Sequence, residues 1–296
     1  MKTIKIQCPA KINLNLKITG KLEGGFHAIE SIMQTINLYD YLTINVYDND
    51  KNEIILSGNS NEIPYDETNL VYKAARLYLE TAKITNKKIS IYIEKNIPVA
   101  AGMAGGSTDG AGVLYGLNKI FLCFDFEDLD NLCAKLGSDL NVCLHGGRIL
   151  AKGRGEIITP LEFEEFNVSL IKPINLGISA KEAYTKFSQK NDVPPAALRT
   201  TFPLQGAEDF DVEFCPFLGG NAEQREAKGV KKFVNDLEWA VIDDYPQLQY
   251  IKQKYPKSVM TGSGSTYFMI DGEFENESGY WVKNGLKSVN FGVREV

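Results

Sequence analysis

The sequence predicts an α+β protein of two domains, and three observations lead there. Its 296 residues exceed what one hydrophobic core usually organises. Strand-like alternation dominates residues 2–57, and helical stripes then interleave with short alternating runs. Past Pro173 the order of elements changes again. A boundary near residue 155 therefore divides the chain into 1–155 and 156–296.

In chain order, Ile12, Leu14, Leu16 and Ile18 alternate with Lys11, Asn13, Asn15 and Lys17, which places Lys11 and Asn13 on one face of a strand. Asp66-Glu67-Thr68-Asn69 is a helix start signal, followed by Leu70, Ala74, Leu77, Tyr78 and Ala82 at helical spacing. Ile89, Ile91 and Ile93 alternate as a strand that feeds the glycine-rich stretch from Ile97 to Ala111. Val113, Leu114, Leu117, Ile120 and Phe121 then form the stripe of a helix, and another is expected over 126–136, stopped by Gly137. Residues 148–172 return to a strand pattern. Beyond them the expectation is helices at about 179–188 and 229–242, a Thr261–Gly264 turn between short strands, and a final helix and strand around Trp281 and Val289. Between Asn191 and Gln224 no period emerges.

Composition narrows the function classes. Hydrophobic residues at 44% and charged residues at 24% describe an ordinary globular chain. A net charge of −6 argues against a nucleic-acid or anionic-membrane partner. No apolar run approaches membrane-spanning length, and polar residues interrupt any signal-peptide core, so the cytoplasm is the expected compartment. The five cysteines are scattered and never form C-x-x-C, and there are two histidines, so neither a disulfide framework nor a histidine-rich metal centre is expected. A monomer or a homodimer suits this composition.

Chemistry concentrates in Pro98-Val99-Ala100-Ala101-Gly102-Met103-Ala104-Gly105-Gly106-Ser107-Thr108-Asp109. Glycines permit close backbone approach and unusual dihedrals, and the free N–H groups at a helix start attract anions. The stretch lacks the Gly-Lys-Ser/Thr ending of a Walker loop and the G-x-G-x-x-G of a dinucleotide fold. On spacing alone it reads as a phosphate cradle or as an ordinary capped turn. Gly137-Ser138-Asp139 likewise reads as a helix stop and the cap of the next helix, and Lys11 as a solvated lysine.

Resemblance decides between these readings. Pro98-x-x-x-Gly102-x-x-Gly105-Gly106-Ser107-Thr108-Asp109 resembles the P-x-x-x-G-L-x-G-G-S-S-D signature of the GHMP small-molecule kinases, with Met103 in place of Leu. Pro9-Ala10-Lys11-Ile12-Asn13-Leu14, Gly24-Gly25-Phe26-His27, Gly137-Ser138-Asp139, Asn235-Asp236-Leu237-Glu238 and Thr261-Gly262-Ser263-Gly264 extend the likeness over almost the whole chain. It implies the GHMP kinase fold: an N-terminal domain with the glycine-rich phosphate loop, and a C-terminal α/β-sandwich, ferredoxin-like domain. It also implies transfer of the γ-phosphate of ATP to the 2-hydroxyl of 4-diphosphocytidyl-2-C-methyl-D-erythritol, in the non-mevalonate route to isoprenoids.

On this resemblance Lys11 and Asp139 are the catalytic pair, with Asp139 taking the hydroxyl proton and Lys11 supplying positive charge. Pro98, Ala100, Gly102, Ala104, Gly105, Gly106, Ser107 and Thr108 bind ATP. Asn13 orients the acceptor, and Phe26, His27 and Tyr184 hold its cytidine. Mg²⁺ accompanies ATP and binds mainly through phosphates and water, so no protein-only metal site is expected. Some positions depart from the pattern. Phe26 replaces Tyr, Ala180 stands where Thr is common, and Leu140-Asn141 replaces the Val-Pro after the catalytic Asp. These bear on the acceptor more than on kinase chemistry, leaving a homoserine- or mevalonate-type kinase, or a non-catalytic sensor on the same fold, as alternatives.

Overall fold

The computed structural model describes residues 1–191 and 234–296. Two sheets organise them. The first has eight strands and is built on β3 (His27–Asp48), whose 22 residues give it room for several neighbours. β1 (Lys2–Asn13) runs antiparallel along most of β3. The far half of β3 pairs with β5 (Lys87–Glu94), which pairs in parallel with β4 (Glu53–Gly58). Its near half pairs instead with β2 (Lys17–Lys21) and β6 (Arg148–Gly153), and β6 with β7 (Ile157–Pro160).

Four helices cover this sheet. α1 (Leu70–Thr81) starts at Asn69, whose side chain accepts from the Val71 N–H as its cap. α2 (Gly105–Phe121) is packed tightly against β1 and β3: a Cβ added at Gly112 would lie 2.5 Å from Cys8 Sγ. That close approach sets where the start of α2 lies. α3 (Phe126–Leu136) opens with a capping box between Asp125 and Asp128, and α4 (Ser138–His145) follows directly. Ile6, Leu42, Ile44, Ile91, Tyr78, Leu114 and Leu132 form the core between helices and sheet.

The second sheet is antiparallel, in the order β11 (Tyr280–Lys287), β8 (Asn167–Pro173), β10 (Tyr267–Ile270), β9 (Val259–Met260). One face, with Val168, Leu170 and Phe268, joins Ile12, Ile36 and Met103 of the first domain in a shared core. The other packs on α5 (Ala180–Asn191), α6 (Asp236–Val241) and α7 (Pro246–Lys254). The chain ends in β12 (Arg294–Glu295), which rejoins the first sheet beside β1. Among the described residues no helix is long and apolar enough to cross a membrane.

The α+β two-domain expectation matches this architecture, with local corrections. The helix expected around Trp281 is strand β11, in which Trp281 pairs with Lys172. Tyr280 and Val282 pack on one core and Trp281 on the other, so apolar residues on both faces erase the alternation that marks a half-buried strand. Helix α7 was not expected. It is short, begins with a proline and buries only Leu248 and Ile251, too little for a periodic signal. The boundary placed near residue 155 falls inside the β6–β7 hairpin, which belongs wholly to the first sheet. Of the helix expected at 229–242 the described part is α6, and the aperiodic stretch lies outside the described residues after Asn191.

Candidate active site

The glycine-rich stretch forms a loop between β5 and α2 that no ordinary turn sequence would hold. Ala100, Gly102 and Ala104 all take positive φ, at 50°, 73° and 59°. Ala104 is the N-cap of α2 in left-handed conformation and offers no side-chain cap, so the first N–H groups of the helix are left for a ligand. The glycines differ in what they need. A Cβ at Gly102 would lie 2.1 Å from the Thr261 carbonyl oxygen, at Gly105 it would meet Lys95 Nζ at 3.1 Å, and at Gly106 it would meet nothing within 4 Å. Gly106 therefore faces open space, while Gly105 is small because its neighbours are close.

The Thr261–Gly264 turn of the second domain presses on this loop, and Asn235 fixes it. The Asn235 side-chain amide donates to the carbonyls of Met260 and Gly262 at 2.6 and 2.8 Å, while its Oδ1 caps α6 through the Leu237 N–H. Thr261 Oγ1 accepts from the backbone N–H of Asn13 at 2.9 Å. The two domains thus meet around one cavity of about 530 Å³. Its walls include the loop from Pro98 to Gly102, the start of α2 from Ala104 to Ser107, Lys11 and Asn13 of β1, Asp139 of α4, and Ala180 and Tyr184 of α5.

Lys11 and Asp139 come together across elements. The Lys11 ammonium, its residue 3% exposed, donates to Asn13 Oδ1 at 2.7 Å and to the Gly102 carbonyl at 3.4 Å. It lies 3.5 Å from Asp139 Oδ2. Asn13 in turn donates to Ser31 Oγ at 2.8 Å, so the shared face of Lys11 and Asn13 is a locked hydrogen-bonded pair. The capping alternative for Asp139 does not hold: α4 has Gly137 as its N-cap and no side-chain cap bond. Its carboxylate side chain, 37% exposed, lines the cavity instead.

Three of the expected ligand residues do not line the cavity. Thr108 is fully buried and lines no part of the cavity, because it begins the second turn of α2 and its N–H already bonds the Ala104 carbonyl at 2.9 Å. Phe26 and His27 also stand outside the cavity wall. The His27 ring stacks on Tyr184 at 5.1 Å between centroids, and its Nε2 is 2.9 Å from Ser188 Oγ. Burial and the nearby Lys21 hold its pKa below the usual histidine range. Burial raises the Tyr184 phenol, with Asp139 adding to the effect. Phe26 is 54% exposed, and the Arg154 guanidinium lies 5.3 Å above its ring.

Residues not singled out in the sequence complete the site. Lys95 lies under the start of α2, where its ammonium donates to Asp109 Oδ2 at 2.9 Å and bonds Asp40. Asp40 Oδ1 also accepts from the Ile97 N–H at 2.8 Å, so the cluster pins the strand that enters the loop. Burial pushes the Asp109 carboxyl up to about 7 despite Lys95, with Asp40 adding repulsion. Arg154 also lines the cavity. Of the cationic side chains that line it, Lys11 and Lys95 are committed to buried partners, whereas Arg154 has the half-buried Glu156 at 3.6 Å. Nothing in the one-dimensional pattern marks Lys95 or Arg154, since a lysine after a strand and an arginine between glycines are ordinary surface residues.

Similarity to known proteins points the same way as this geometry. Residues 69–147 match the family model described as the GHMP kinases N terminal domain. A 4-diphosphocytidyl-2-C-methyl-D-erythritol kinase of Clostridium beijerinckii (strain ATCC 51743 / NCIMB 8052) is 45% identical over 274 residues, covering 90% of each chain. One from Clostridium tetani (strain Massachusetts / E88) is 37% identical over 272 residues, again covering 90% of each. Among solved structures, a 4-(cytidine 5'-diphospho)-2C-methyl-D-erythritol kinase superposes with a TM-score of 0.71 at 26% identity, covering 97% of this chain and 100% of the other. A homoserine kinase from Cytophaga hutchinsonii shares the fold at a TM-score of 0.65 and 15% identity, covering 100% and 98%.

Proposed function

The chain belongs to the 4-diphosphocytidyl-2-C-methyl-D-erythritol kinase family of GHMP kinases, and from that membership we propose that it transfers the γ-phosphoryl group of ATP to the 2-hydroxyl of 4-diphosphocytidyl-2-C-methyl-D-erythritol. The observation that carries this reading is the Lys11–Asp139 pair, at 3.5 Å, lining the same cavity as the open start of α2. An anionic triphosphate lies with its phosphates against the N–H groups of Gly105, Gly106 and Ser107. The acceptor hydroxyl meets Asp139, which takes its proton as the oxygen attacks, while the Lys11 ammonium stabilises the charge that builds on the transferring group.

Mg²⁺ would enter with ATP, keeping waters and phosphate oxygens as ligands, and the Ser107 hydroxyl at the start of α2 would be its protein contact. When bound it neutralises triphosphate charge. On the acceptor side, Tyr184 lines the cavity with His27 stacked on it, the cytidine extends past the cavity wall to the exposed Phe26 ring, and Arg154 supplies the cation that a second diphosphate calls for. A homoserine- or mevalonate-type alcohol has no use for these groups.

ADP release measured against a panel of acceptors tests this reading. Turnover restricted to the cytidine-diphosphate-linked acceptor is expected. Efficient turnover of homoserine or mevalonate would replace the acceptor, and binding of ATP and CDP with no turnover of any acceptor would leave a sensor.

A further inference from the structure

Helices α3 and α4 are joined through a single residue. α3 ends at Leu136, Gly137 follows in an extended conformation, and α4 starts at Ser138. With no loop between them, the angle at Gly137 decides where Asp139, the second residue of α4, points. Asp139 is itself held by one ion pair among the described residues, the 3.5 Å contact with Lys11. The start of α4 has no side-chain cap to fix it.

The angle is set elsewhere, by two residues one turn apart on α4 that both reach Asp130 on α3. The Asn141 side-chain amide donates to the Asp130 carbonyl oxygen at 2.9 Å and to its Oδ1 at 2.7 Å. His145 Nε2 is 3.0 Å from the same Oδ1, and Phe126 packs edge-on against the His145 ring at 4.8 Å. Asn141 is only 2% exposed, so its amide has no competing water. It also occupies the position where the family pattern carries proline. A proline in the first turn of a helix stiffens the chain through its ring, and here hydrogen bonds across two helices do so instead.

We propose that Asn141 and Asp130 are positioning residues for Asp139, locking α4 against α3 so that the carboxylate stays opposite Lys11. The inference rests on Asp139 being the proton acceptor. Misplacing a reacting group by a fraction of an ångström lowers turnover without weakening nucleotide binding, because the phosphate loop is on other elements.

Steady-state kinetics with ATP and 4-diphosphocytidyl-2-C-methyl-D-erythritol on Asp130→Ala, Asp130→Asn and Asp139→Asn test it. Asp130→Ala should lower kcat by about 10- to 100-fold while KM for ATP stays within about twofold. Asp130→Asn keeps an acceptor oxygen for Asn141 and should recover most of that loss. Wild-type kcat in Asp130→Ala, with Asp139→Asn inactive, overturns the inference alone. Parallel loss of kcat, ATP affinity and melting temperature in both Asp130 variants overturns it too, since that marks general support of the fold. Wild-type turnover in Asp139→Asn would bring down the reading of the site, and this inference with it.

Discussion

At the scale of single residues, the proposed catalytic pair, Lys11 and Asp139, illustrates how identity and environment divide the work. Lys11 and Asn13 were legible as neighbours from strand alternation alone, and their 2.7 Å hydrogen bond follows from that spacing. Asp139 was not, because a Gly-Ser-Asp run describes a helix start equally well. Replacing it by Asn keeps the size of the side chain and disturbs no cap, since Gly137 fills that position without a side-chain bond. Asp139→Asn is therefore expected to melt like wild type and to lose ~10²–10⁴-fold in kcat, the usual share of a general base. Activity assays beside thermal melts check both halves. His27 gives a pH-dependent expectation. Its folded pKa is held below the ordinary value of 6.5, first by burial and then by Lys21. The unfolded chain therefore binds the proton more readily, and the contribution of His27 to stability is whole above about pH 6.5 and declines as pH falls below it. Melting temperatures from pH 8 to pH 5 should decline more for wild type than for His27→Gln.

Among the elements, the phosphate loop is the most informative, because its glycines turn out to serve different needs. Motif spacing treats Gly105 and Gly106 alike. The structure separates them: Gly105 is crowded by Lys95 and Ile97, whereas a side chain at Gly106 would enter empty space. Gly106→Val should accordingly fold normally and weaken ATP binding roughly tenfold or more, about 1.4 kcal/mol, by filling the room that phosphates need. Calorimetric titration with unchanged ATP affinity would move the nucleotide away from the start of α2. Strand β11 shows the opposite limit of sequence reading. Trp281 and Val282 are apolar neighbours half-buried on opposite faces, so no period of two exists to be read, and only pairing with β8 makes the segment a strand.

For the whole molecule, the proposed acceptor site lies where the two domains meet, and that is where substrate identity can be tested. Phe26→Ala should cost about 1–3 kcal/mol in CDP binding if a base stacks on the exposed ring, with ATP affinity unchanged. CDP titrations of wild type and variant decide this; equal affinities would leave Phe26 as a support for Arg154 alone. The sequence by itself determined the α+β class, the order of most elements, the glycine loop before a helix, and through its motifs the family, and it pointed to Lys11 and Asp139 as the proposed catalytic pair. These are local or pairwise properties, fixed by periodicity and by residue types at short spacing. Tertiary structure alone decided that Asp40, Lys95 and Asp109 converge beneath the loop from three separate elements, and that Asn235 fixes the Thr261–Gly264 turn against Gly102. It alone also turned Arg154 toward the cavity and buried Thr108. The physical reason is the same in each case: charge pairing and close backbone approach act through space between residues far apart in the chain, and no pattern along one strand or helix carries that distance.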